Sequence, residues 1–212
     1  MQRNLDAIRE QYRARIGLLD QLAQSLDTEL RSSLSDVHNI DRIYFRTKGV
    51  ESFVEKAATR SDDDKDWKYQ HPLEEIEDQV AGRILVLYRS DIKAVLTALN
   101  GRIRQAEREH RKPSSAKEFD YETTHMICLI TPDLVSREWS ALADPPQTFE
   151  LQIRTLAQHA WSEPQHGFYK TKTGLTPESL RKLYWAAASA WGLDSIWEDL
   201  RNELDKLHTK DS

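Results

Sequence analysis

The chain has 212 residues, with 30 Lys plus Arg against 35 Asp plus Glu, a formal net charge of −5 and a mean hydropathy of −0.70. Its 6 Trp, 7 Tyr and 5 Phe exclude a disordered acidic tail. The acidic balance excludes coating nucleic acid with a broad basic face, and no apolar run approaches the roughly 20 residues that span a bilayer. The opening residues, MQRNLDAIREQYRAR, hold no apolar signal core. Cys128 is the single cysteine, which rules out an internal disulfide and a Cys-based zinc site. The expectation is a cytoplasmic protein with no membrane contact.

In chain order, Leu5, Ile8, Tyr12, Ile16, Leu19, Leu22, Leu26 and Leu30 recur at steps of 3 and 4, which predicts one amphipathic helix over 3–33. Such a helix packs on its own domain or on another copy. Over 40–48 the pattern alternates, with Ile43 and Phe45 set between Arg42, Tyr44, Arg46 and Lys48, the period of a half-buried strand. Gly49 breaks it, and residues 50–60 return to helical spacing. A polar loop (61–67) and a short helical turn after His71-Pro72 lead to a second strand, 83–88. A helix is predicted over 91–110, with a basic far side of Arg102, Arg104, Arg108, Arg111 and Lys112. Residues 112–120 have loop composition. Strands follow at 124–130 and 148–154, then a helix from about 155, interrupted near Pro164. Thr176-Pro177 starts one or two terminal helices, with Leu180, Leu183, Trp191, Ile196, Trp197, Leu200 and Leu204 inward. The class is α+β: a mixed sheet of about five strands flanked by helices, with helical extensions at both ends. The division is one domain, 1–212, with an N-terminal helix (1–38), a catalytic core (39–170) and C-terminal helices (171–212).

Four segments place polar groups opposite the apolar side of their elements. Arg46 and Lys48 share a strand face, and Ser52 and Lys56 share a helix face. A strand, a glycine and a helix N-terminus bring free N–H groups and the helix dipole beside two cations, which suits phosphate. A solvated strand edge has the same pattern. Asp78 precedes the second strand and Arg83 stands at its entrance. Mg²⁺ takes one or two carboxylates plus phosphate oxygens, and a plain Asp78–Arg83 ion pair is the alternative. Lys117, Tyr121 and His125 are spaced by four across a loop-to-strand junction, where a Tyr could stack on a base. Glu150, Gln152 and Arg154 point away from Phe149, Leu151 and Ile153. His159, Glu163, His166 and Lys170 follow at helical steps, the spacing of a His/Glu/His metal face, but Pro164 breaks the helix that would carry it.

Together these residues resemble the synthetase domain of the RelA/SpoT family. The motifs are R-x-K-x₃-S-x₃-K at 46–56, D-x₄-R-I at 78–84, K-x₃-Y-x-T-x-H at 117–125, and E-L-Q-I-R-T at 150–155 followed by H-x-W-x₄-H-x₂-Y-K at 159–170. The resemblance runs in order from about 40 to 170 and is that of a stand-alone small alarmone synthetase.

The resemblance implies a mixed sheet related to nucleotidyltransferases and an ATP-dependent diphosphotransferase. Such an enzyme moves the β,γ-diphosphate of ATP to the 3′-hydroxyl of GDP or GTP, making ppGpp or pppGpp. It assigns Arg46, Lys48, Ser52, Lys56 and Arg83 to ATP, and Asp78 to Mg²⁺ as a catalytic residue. Glu150 completes the metal site or activates the 3′-hydroxyl. Lys117, Tyr121 and His125 go to the acceptor, Tyr121 by stacking on guanine, with Gln152 and Arg154 supporting that side. Where members usually carry Gly-Tyr, this chain has Asp120-Tyr121-Glu122-Thr123. That departure and the basic 102–112 segment favour the alternative, a toxic small alarmone synthetase. Such an enzyme pyrophosphorylates the 3′ end of tRNA or makes adenosine alarmones, and an antitoxin protein would be its partner. A homo-oligomer fits either reading.

Overall fold

The computed structural model describes residues 3–61, 63, 65–111, 123–169 and 175–208. Helix α1 (Leu5–Ser33) is capped by Asn4, whose side chain accepts from the Ala7 N–H. Its buried stripe is Tyr12, Leu19, Leu22, Leu26 and Leu30, the predicted apolar face, and it packs on its own domain. Strand β1 (Ile40–Thr47) and helix α2 (Val50–Ala57) follow as expected. A single turn, α3 (Pro72–Glu75), and a 3₁₀ turn at Glu77–Gln79 deliver the chain into β2 (Val80–Val86), which starts three residues before the predicted strand.

The segment after β2 departs from expectation. Helix α4 (Arg89–Leu99) stops at Asn100, because Gly101 takes a φ of +80° that helical residues do not adopt. Residues Gln105–Arg111 then form a strand, β3. The predicted basic helix face over 102–112 therefore does not form: Arg102 and Arg104 lie in the turn and its exit, and Lys112 lies outside the described residues. Strands β4 (Thr123–Leu129) and β5 (Thr148–Thr155) complete a five-stranded sheet in the order β1-β2-β5-β4-β3. The β2–β5 pair is parallel and the other three are antiparallel.

One face of this sheet is apolar. Ile43, Ile84 and Ile153 stand in register across β1, β2 and β5, and Phe149, Leu151, Met126 and Cys128 extend the same face. Helices α1 and α4 cover it. At its centre Gly82 lies under the Phe45 ring, and a Cβ there would come within 2.2 Å of it.

Helix α5 (Leu156–Tyr169) runs through Pro164 without the expected interruption. Helix α6 (Pro177–His208) is a single 32-residue helix, and its apolar stripe corrects the expectation of an inward face. Leu180, Trp191, Ile196, Trp197, Leu200 and Leu204 are all exposed, between 39% and 58%. The docked side is small and polar, with Ala187 and Asp194 buried. Asp194 accepts from the Thr155 hydroxyl at 2.6 Å, and Arg201 pairs with Asp91 at 2.6 Å. Among the described residues no helix is long and apolar enough to cross a membrane.

Candidate functional site

The second face of the sheet is polar, and register alone puts most of the singled-out residues on it. Arg46, Ala81, Glu150, Ile127 and Glu107 stand opposite one another across all five strands. One step along lie Tyr44, Arg83, Gln152 and His125. Directly opposed residues point to one face, so Glu150, Gln152, His125, Arg46 and Arg83 are neighbours although the sequence scatters them over a hundred positions.

Asp78 reaches this face from the 3₁₀ turn. Gln79, fully buried, fixes that turn by donating its side-chain amide to the Leu73 carbonyl at 2.9 Å and the Ile76 carbonyl at 3.0 Å. The Gln79 carbonyl in turn accepts from the Lys48 N–H at 2.9 Å, which brings the end of β1 beside the turn. From α1, Tyr12 donates its hydroxyl to the Lys48 carbonyl at 2.8 Å and stacks on Phe53 of α2, with ring centroids 3.8 Å apart. The first helix thus holds both phosphate-type segments, β1 and α2, in place.

Lys48 Nζ donates to Asp78 Oδ2 at 2.7 Å, and Lys56 Nζ stands 3.0 Å from Oδ1. The second contact is an ion pair rather than an aligned hydrogen bond, and Oδ1 is buried without a hydrogen-bond partner. Burial opposes the charge on Lys56, but Asp78, Tyr69 and Glu150 outweigh it and raise its pKa. Arg46 and Ser52 are exposed. No side chain caps α2 behind Gly49, so its first-turn N–H groups stay open on the side of Ser52.

Glu150 is anchored from two sides. His125 Nδ1 lies 2.9 Å from Oε1, and Gln152 donates to the same oxygen at 2.7 Å. Arg154 Nη2 lies 3.3 Å from His125 Nε2. Glu150 on Nδ1 and Arg154 on Nε2 fix the orientation of the His125 ring between them. Burial alone would raise the Glu150 pKa. The His125 and Gln152 hydrogen bonds, the electrostatic attraction of His125 and the nearby Lys56 overcome it and bring the value down to about 2. Arg154 is buried, and burial together with Arg83 lowers its pKa to about 10. It also donates to Ser162 of α5, so it braces the site from beneath.

A cavity of about 200 Å³ joins these groups, lined by Lys56, Glu77, Asp78, Glu107, His125, Ile127 and Glu150. Four predicted residues meet there: Lys56, Asp78, His125 and Glu150. Arg46, Lys48, Ser52, Arg83, Gln152 and Arg154 surround it without lining it. Lys117, Tyr121 and Lys170 lie outside the described residues. Glu77 and Glu107 were not anticipated. Burial and the proximity of Glu107 raise the Glu77 pKa. Glu107 was hidden because its segment reads as helix, and a strand assignment would have put it in register with Glu150. Arg83 pairs with Glu163 of α5 rather than with Asp78, so the His159/Glu163 spacing serves an arginine. The donor set suits Mg²⁺, which takes few carboxylates and leaves its other positions to phosphate and water. Asp78 Oδ1, buried and held by the Lys56 ion pair without an aligned hydrogen bond, and the ionised Glu150 face the same cavity.

The family model for the region found in RelA / SpoT proteins matches residues 45–174. The GTP pyrophosphokinase YjbM of Bacillus subtilis (strain 168) is 30% identical over 172 residues, 79% of this chain and 74% of that protein. The crystal structure of the small alarmone synthetase 1 from Bacillus subtilis bound to its product pppGpp superposes with a TM-score of 0.69 at 23% identity, covering 92% of this chain and 98% of that one. The same enzyme bound to AMPCPP gives 0.64 at 21% identity, covering 92% and 99%. At these identities the structural likenesses establish the fold.

Proposed function

This chain belongs to the RelA/SpoT family, and from that premise we propose how its residues carry out (p)ppGpp synthesis. It is an ATP-dependent diphosphotransferase of the GTP pyrophosphokinase type. The 3′-hydroxyl of GDP or GTP attacks the β-phosphorus of ATP, the new 3′-O–P bond forms, the Pα–O–Pβ bridge breaks, AMP leaves, and the hydroxyl proton passes to solvent. The observation that carries the residue assignment is the cavity in which Asp78, Lys56, His125 and Glu150 converge.

Phosphoryl-type transfer is mostly positioning and charge stabilisation. Lys48 and Lys56, held beside the cavity by Asp78, take the ATP phosphates together with Arg46, Ser52 and the open N-terminus of α2. Arg83, whose Nε and Nη1 groups are engaged within the protein, meets ATP with the rest of its guanidinium. Asp78 and Glu150 would hold Mg²⁺, which supplies charge neutralisation at the β-phosphoryl oxygens. A general base works best with a pKa near the operating pH. At about 2, Glu150 is an ionised metal ligand and a hydrogen-bond acceptor for the 3′-hydroxyl rather than a proton store. His125, with Gln152 and Arg154 behind it, orients Glu150. Lys117 and Tyr121 complete the acceptor side, Tyr121 by stacking on guanine. The catalytic core is 39–170 of a single domain, 1–212, and the enzyme works in the cytoplasm.

A second reading draws on one feature of the cavity. Glu77 and Glu107 add two carboxylates to its wall, which disfavours heavily phosphorylated acceptors. That supports tRNA 3′ ends or adenosine nucleotides as acceptor, with an antitoxin as partner. The 102–112 segment, being turn and strand, lends it no basic helix. Incubation with γ-labelled ATP plus GDP, GTP, AMP or deacylated tRNA decides between the two. Label on GDP or GTP supports the first reading, and label confined to tRNA or AMP establishes the second.

A further inference from the structure

The Arg83 side chain is only 9% exposed, and a carboxylate of α5, Glu163, holds it in place of Asp78. Its Nε donates to Gln152 Oε1 at 3.3 Å. Its Nη1 faces the Tyr44 hydroxyl at 2.9 Å, His159 Nδ1 at 3.1 Å and a Glu163 carboxylate oxygen. The guanidinium carbon lies 5.7 Å from the Tyr44 ring centroid. Among the described residues Glu163 is the one carboxylate in ion-pair contact with Arg83. His159 and Glu163 sit one turn apart on α5, 3.7 Å from each other. The arginine can only donate, so His159 Nδ1 accepts. Burial and the Arg83 charge lower the His159 pKa, which keeps that nitrogen an acceptor.

The geometry points to Glu163, assisted by His159, as the positioning residue that sets Arg83 for ATP. This rests on the reading of Arg83 as an ATP-binding residue. Arg83 occupies the boundary of the polar face, with the cavity on one side and α5 on the other. An arginine has many rotamers, and a guanidinium fixed before the nucleotide arrives spares binding the cost of ordering it. Tyr44 and Gln152 offer only neutral acceptors. Among the described residues Glu163 alone neutralises the guanidinium by an ion pair, and a nearly buried guanidinium without its carboxylate moves toward solvent. Glu163 does not touch the reacting atoms; it acts through Arg83.

The test is a steady-state split for Glu163→Gln, Glu163→Ala and Arg83→Ala, alongside calorimetric binding of AMPCPP to each full-length protein. Glu163→Ala is expected to raise the ATP KM and the AMPCPP Kd about tenfold, with the acceptor KM moved less than about twofold. Glu163→Gln, which keeps an acceptor oxygen and the shape but not the charge, falls between Glu163→Ala and the unchanged protein. It also gives the answer if the alanine variant does not fold. An unchanged ATP KM in both Glu163 variants, beside a raised one in Arg83→Ala, overturns the positioning role alone. Equal increases in ATP and acceptor KM mark a merely structural role and overturn it too. An ATP KM unmoved by Arg83→Ala overturns the ATP assignment of Arg83 itself, a separate failure.

Discussion

Asp78 and Glu150 illustrate how the same functional group, a carboxylate, is held by different forces. Asp78 stands between Lys48 and Lys56 with its side chain 20% exposed, where the cost of desolvating the charges offsets much of what the ion pairs contribute. Asp78→Asn is expected to cut transfer at least about a hundredfold while moving the thermal midpoint by no more than about 5 °C. Labelled-ATP transfer and a thermal melt measure both, and retained turnover would remove the metal assignment. Glu150, about as shielded as Asp78, is held by hydrogen bonds instead, and its pKa falls from the ordinary 4.5 to about 2 in the folded chain. A depressed carboxylate stabilises the fold at pH values above its unfolded pKa. That contribution is lost as pH drops from about 4.5 towards about 2, and it amounts to up to about 3 kcal/mol. Glu150→Gln should therefore abolish transfer and also flatten the stability–pH curve in that window, read by denaturant melts from pH 5 to pH 2.5. An unchanged acid slope would show that Glu150 is not held as the hydrogen bonds indicate.

At the scale of elements, the sheet depends on one glycine. Gly82 pairs with Phe45 on one side and Leu151 on the other, and the Phe45 ring fills the space its side chain would need. Gly82→Ala is expected to cost about 1–3 kcal/mol by overpacking, with a lower midpoint in urea at an unchanged m-value, and to disturb Arg46 and Arg83 on the neighbouring rows. A neutral result would mean that the ring moves aside freely. Local pattern made β1, α2, β4 and β5 readable, because each keeps one period from end to end and ELQIRT alternates cleanly. It failed at Gln105–Arg111, where QAEREHR is polar at every position but Ala106. An edge strand of that composition has no apolar alternation, and helix propensity fills the gap. The Asn100-Gly101 stop was in the sequence as a turn signal. Register was the missing quantity: without β3 paired to β4, Glu107 had no route to the cavity, and without α5 laid over the polar face Glu163 had none to Arg83.

The largest mismatch between pattern and structure concerns the whole molecule. Helix α6 docks through Asp194, Glu198 and Arg201 and turns Trp185, Ile196, Trp197, Leu200 and Leu204 outward, with Trp185 73% exposed. A contiguous apolar face of this kind marks an interaction surface. Its charges suggest what covers it. The first half of the helix carries Arg181 and Lys182 against Glu178, which pairs with Lys182, and the second half carries Asp194, Glu198, Asp199, Glu203 and Asp205 against Arg201 and Lys206. Two copies laid antiparallel about a two-fold axis bring the basic half of each against the acidic half of the other, the self-complementarity that an isologous interface requires. The expected result is a dimer or larger assembly of the 24.7 kDa chain, measured by light scattering on a sizing column. Trp197→Glu combined with Leu200→Glu should return it to monomer mass with an unchanged far-UV spectrum, since neither side chain packs in the core. Rising salt should also weaken the assembly, because surface charge pairs are screened within about 10 Å at 0.1 M. A wild-type chain that runs as a monomer at tens of micromolar would refute self-association, because so large an apolar face cannot stay bare at that concentration if a second copy is what it fits.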